Sequence, residues 1–76
     1  MKRVLIIGAG DLGQQIAHYV SESSEHKVIG YVDDWANVGD IRRGYPILGC
    51  VKDIEMLYHK GVFDELLIGI GYKHFD

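Results

Sequence analysis

The sequence predicts an α/β domain on a parallel sheet, and three observations predict it. Short β-branched runs alternate with stretches of helical periodicity, the pattern of βαβ units. The first apolar run lacks alternation, as expected of a strand covered on both faces. A glycine cluster parts that run from the helix after it.

Each element has its own reason. Residues 3–7 (RVLII) form the first strand, and glycines from Gly8 to Gly13 stop it. Leu12, Ile16, Ala17, Tyr19 and Val20 then recur at helical spacing and predict a core-facing stripe. Asp11 is placed to cap that helix by accepting from first-turn amides. The polar residues 21–26 end it. Residues 27–32 (KVIGYV) form a second strand, terminated by Asp33 and Asp34. Residues 35–44 read as a loop. The GYPILG piece that follows is short and extended, with Pro46 biasing Tyr45 away from helix. Asp53 is placed to cap a second helix, which carries Ile54, Leu57, Tyr58 and Gly61 on one face and stops at Gly61. Residues 65–70 (ELLIGI) form the third strand. Right-handed crossovers then give strand order 2-1-3 with one helix on each face, a three-layer βαβαβ unit.

Composition excludes several classes. Seventy-six residues allow one small domain. A hydrophobic content of 47% with 25% charged residues is globular, not disordered. The single cysteine, Cys50, excludes a scaffold built on internal disulfides. A net charge of −3, with no basic run beyond Arg42-Arg43, gives nucleic-acid binding little electrostatic support. The N-terminal apolar run is too short for a signal segment or a membrane span, which makes the cytoplasm the default location.

The chemistry concentrates in Gly8-Ala9-Gly10-Asp11-Leu12-Gly13, a G-x-G-x-x-G turn between strand and helix. Gly8 permits the tight turn, Gly10 lets a phosphate approach the backbone, and Gly13 permits close helix–strand packing. The helix N-terminus attracts an anion. Asp33 follows about 20 residues on, where an acidic side chain accepts from ribose hydroxyls. Gly69-Ile70-Gly71-Tyr72 closes the third strand at the same edge of the sheet. Each feature has a plainer reading. The glycines could serve the turn alone, and Asp33 and Asp34 could simply end a strand. Asp11 would repel a phosphate unless it turns inward. Tyr72 and Lys73 are placed to touch a base or phosphate, or are plain surface. Trp35 either shields a ligand or packs in its loop. The four histidines show no metal-ligand spacing with each other or with Cys50. Cys50 has no evident base, and no catalytic set is recognisable, so no catalytic residue is assigned.

Taken together, KRVLIIGAGDLGQQIAHYV, VIGYVDD, GYPILG and LLIGIG resemble the N-terminal domain of bacterial sugar O-acyltransferases. That family includes sialic-acid O-acetyltransferases and the N-acetyltransferases of UDP-4-amino-sugars. The resemblance spans almost the whole chain. It implies a Rossmann-like domain, residues 1–76, that binds a UDP-linked sugar. It also implies a following left-handed β-helix, absent here, that forms a homotrimer, binds acetyl-CoA and supplies catalysis. No cofactor belongs to this chain itself. Carried over by position, Gly10, Asp11 and Leu12 lie against the sugar-nucleotide, Asp33 and Asp34 contact the uridine part, and Gly71 lets the ligand approach. The first loop and Tyr72-Lys73 depart from common family versions, which leaves the sugar open. Polysaccharide-biosynthesis dehydratases and sugar-phosphate transferases carry a similar segment, and NADH-sensing repressors are more distant. On those resemblances the chain is the first half of an NAD-binding domain.

Overall fold

The structure is a computed structural model and describes residues 1–70. Strand β1 (Lys2–Ile7) runs through the middle because its apolar run has to be covered on both faces. Val4, Leu5 and Ile6 have no exposed surface. Around it stand helix α1 (Asp11–Ser21), β2 (His26–Val32), β3 (Ile41–Arg42), β4 (Tyr45–Gly49), α2 (Ile54–His59) and β5 (Glu65–Ile68). The five strands lie in the order β3-β4-β2-β1-β5. The three expected strands keep their 2-1-3 neighbours as β2-β1-β5, but the sheet is wider than that order. The GYPILG piece is an inner strand, β4, parallel to β2 and antiparallel to β3. A two-residue β3 gives no periodicity to read. Its hairpin turns at Arg43 and Gly44, both with positive φ (53° and 86°), the backbone that a two-residue hairpin of matching twist requires.

The sheet separates two apolar layers. Val4, Ile6, Tyr31 and Ile47 pack with Ala17 of α1 on one face. Leu5 and Val32 pack with Leu57 of α2 and Phe63 on the other. One helix therefore covers each face. In α1 only Gly13 and Ala17 are buried, with Ile16 and Val20 half-buried beside the core. The expected stripe is narrower than drawn: Leu12 and Tyr19 face out, because Gly13 and Ala17 bring the helix backbone close to the sheet. Asp11 is not the cap. The N-cap is Gly10, with no side-chain bond, and Asp11 is the first helical residue.

Asp53 takes the N-cap position of α2, as expected, but its side chain makes no cap bond to that helix. A 3₁₀ turn, Val51–Asp53, precedes α2, and the Asp53 carboxylate accepts from the Cys50 amide (2.9 Å), behind the helix. Tyr58 is mostly exposed. Gly61 does stop α2: with φ 73°, its N–H donates to Tyr58 O (2.9 Å) and Val62 N–H to Leu57 O (3.0 Å), a Schellman closure. Strand β5 ends at Ile68, two residues earlier than expected, although Gly69 N–H still donates to Ile7 O (2.7 Å). At its other end Arg3 grips Asp64 through its backbone N–H (2.8 Å), Nε (3.1 Å) and Nη2 (2.9 Å), and also donates to Gly61 O.

A bulge in β2 matters for the site. Val4 pairs with Val28, but Leu5 pairs with Gly30, so one residue is extra. Gly30 has φ 151°, and a Cβ there would stand 2.6 Å from Pro46 O. An extra residue exchanges the two faces for everything after it. It places Tyr31 on the α1 side and Val32 on the α2 side, and so sets how the chain enters Asp33-Asp34.

Candidate functional site

The carboxyl ends of β1, β2 and β5 are level, with Ile7 opposite both Val32 and Ile68. The chain leaves β1 toward β2 on one side and returns as β5 on the other, so strand order reverses there. Open α/β sheets bind ligands at that point. A cleft of about 460 Å³ occupies it, within the size range of small-molecule sites.

Three glycines make the floor. Gly8 has φ 98°, and an added Cβ would stand 2.8 Å from Gly69 O. At Gly13 it would stand 1.9 Å from Gly8 O, and at Gly69 2.6 Å from Gly13 Cα. Turn, helix and β5 therefore interlock, and no side chain fits between them. Gly10 differs: its φ is −80°, and an added Cβ would meet nothing within 4 Å. Its amide neighbours at the start of α1 lack intrahelical acceptors.

Asp33 holds the site together. Its Oδ2 accepts from Ala9 N–H (2.7 Å), and its Oδ1 accepts from Trp35 N–H (2.7 Å) and Ala36 N–H (3.1 Å). The glycine turn and the loop after β2 are thus tied to one carboxylate. Asp34 points the other way, accepting from Val51 N–H (2.9 Å). Gln14 steadies the turn by donating to Ala9 O (2.9 Å).

Of the residues singled out from sequence, Gly8, Gly10, Asp11, Leu12, Asp33 and Asp34 line this cleft. Gly13 packs beneath it. Gly71 and Tyr72 lie outside the described residues. Trp35, Gly69 and Ile70, also named from sequence, stand on the wall, and the structure adds Ile7, Gln15, Val32 and Val51. Val51 had no signal in sequence, because its place depends on β4 joining the sheet. Among the described lining residues are three carboxylates and no basic side chain. The histidines of the described residues are engaged elsewhere, His18 near Glu22, His59 near Glu55, and His26 between Ser23 and Glu65.

A glycine turn feeding a helix N-terminus, beside the reversal point of a parallel sheet, defines a small Rossmann-like domain. The chain belongs to the PglD N-terminal domain family, whose model matches residues 3–74. That domain is the N-terminal one of PglD-type sugar acetyltransferases. No curated protein matches the chain. No helix among the described residues is long and apolar enough to cross a membrane.

Proposed function

We propose that this domain holds the nucleotide end of a UDP-linked sugar for acetyl transfer from acetyl-CoA. Gly10 carries the reading. Neither backbone angle nor crowding calls for glycine there, whereas a diphosphate lying on the turn would. The diphosphate meets the first amides of α1, aided by the helix dipole. Asp33 and Asp34, which keep acceptor capacity beyond the bonds described, face the ribose and base. The sugar leaves the cleft toward an acetyl-CoA site in a further, trimer-forming domain of a cytoplasmic enzyme. The part played by this chain is positioning: a held acceptor amine or hydroxyl reacts as if intramolecularly.

The position of Asp33 at the end of β2 also suits the ribose of NAD. Titrating the chain with UDP-N-acetylglucosamine and, separately, NAD⁺ decides between the two, read by amide shifts. Movement of Gly8, Gly10 and Asp33 with the UDP-sugar alone is the expected result. Movement with NAD⁺ alone would transfer the site to a dinucleotide.

A further inference from the structure

The one tryptophan of this chain is where a side chain of its size is least at home in water. Trp35 is 96% exposed, although an indole is among the largest apolar groups a fold can bury. Loop packing, the plainer reading of Trp35, therefore does not describe it. Its backbone is nevertheless pinned. Its N–H donates to Asp33 Oδ1, and so does that of Ala36. Ala36, partly buried, packs against the α1-side core, so Trp35 is bracketed between a held amide and a packed neighbour. The other oxygen of the same carboxylate holds Ala9 in the glycine turn. The indole and the turn thus share a single anchor, and the indole stands on the cleft wall.

We propose that Trp35 is a stacking platform for the base of the nucleotide, and so the residue that selects a ligand with a flat heterocycle. The proposal rests on the reading that the cleft holds a nucleotide. Its chemistry follows from what surrounds the indole. Asp33 and Asp34 precede it and repel an anion, so a phosphate is unsuited to this end of the cleft. Val51, half-exposed on the same wall, offers a second apolar contact. A neutral planar ring fits between such groups. With the diphosphate at Gly10 and the ribose at Asp33, the base is the part of the ligand that arrives beside Trp35. The sugar lies beyond the diphosphate, at the other end. Stacking tolerates any base, so Trp35 selects for a base as such, and its identity is read by other groups.

Being the only tryptophan, Trp35 reports on itself. The wild-type chain, Trp35→Ala and Trp35→Phe would each be titrated with UDP, UDP-N-acetylglucosamine and N-acetylglucosamine 1-phosphate. Calorimetry gives affinity for all three proteins, and indole fluorescence gives contact in the wild type. The expectation is indole quenching by both uridine ligands and none by the sugar phosphate. Trp35→Ala should weaken UDP by on the order of tenfold to a hundredfold, and Trp35→Phe should restore most of it. Because the indole is exposed, thermal midpoints should stay at the wild-type value. Unchanged UDP affinity in Trp35→Ala, while the wild type binds, would overturn the stacking role alone. Equal quenching by the sugar phosphate would move the indole to the sugar end and also overturn it. A wild-type chain that binds neither uridine ligand by calorimetry would remove the nucleotide reading itself, and this proposal with it.

Discussion

At Gly13 an added Cβ would stand 1.9 Å from Gly8 O, whereas at Gly10 it would meet nothing within 4 Å. The two glycines of one motif therefore answer to different demands. Gly13→Ala pushes a side chain into backbone that has no room to yield, and is expected to cost about 3 kcal/mol or more, read by urea unfolding. Gly10→Ala keeps an ordinary backbone angle and is expected to cost no more than about 1 kcal/mol at an N-cap. The same change should weaken UDP-sugar binding, and unaltered affinity would leave the motif with a turn role only. Asp11, at the first position of α1 and on the cleft wall, sets stability against binding. Its carboxylate suits the helix dipole but repels a diphosphate. Asp11→Asn should lower stability by about 0.3–1 kcal/mol and tighten the UDP-sugar, as measured by calorimetry.

Between elements, the Arg3–Asp64 pair fastens the start of β5 to the start of β1. The Arg3 side-chain bond, followed by its backbone N–H, holds the Asp64 carboxyl down at about 2, from an ordinary value of 3.8. Asp64 in turn raises the Arg3 guanidinium above its ordinary value. A carboxyl with a lowered folded pKa stabilises the fold above its unfolded pKa, and that contribution fades as pH falls through the folded one. The loss should thus run from about pH 4 down to about pH 2. Thermal melts of wild type and Asp64→Asn should differ at neutral pH and converge in that acid window. A gap that persists at about pH 2 would mean that the pair is not the cause. The β2 bulge is the other device on this scale. Through it Asp33 comes to face the glycine turn and Asp34 the 3₁₀ turn before α2. Gly30 was visible within a strand pattern, but its cause was not, since the crowding comes from Pro46 on a strand the pattern did not reveal.

Across the whole molecule the two sheet edges are built differently. The β3 edge is two residues long, ends in Arg42 and is followed by Arg43 at the turn, a short and charged edge of the kind that resists pairing. The β5 edge carries Leu66, Leu67 and Ile68, all exposed, with Ile68 at 66%. A charge there should discourage edge-to-edge association of the isolated chain. Ile68→Lys is expected to lower light scattering at high concentration with little change in melting temperature. Scattering that does not fall would place any self-association on another surface.

The sequence by itself determined the α/β class, the β2-β1-β5 core of the sheet, the helix on each face and the glycine turn between β1 and α1. Those features are written in local periodicity, and periodicity is a property of neighbours along the chain. Only the tertiary structure decided the width of the sheet, the narrow buried stripe of α1, the partners of Asp33 and Asp34, and the exposure of Trp35. These depend on which distant backbones approach one another. Pro46 against Gly30, Gly69 against Gly13 and Ala9 against Asp33 are pairs that no local pattern connects.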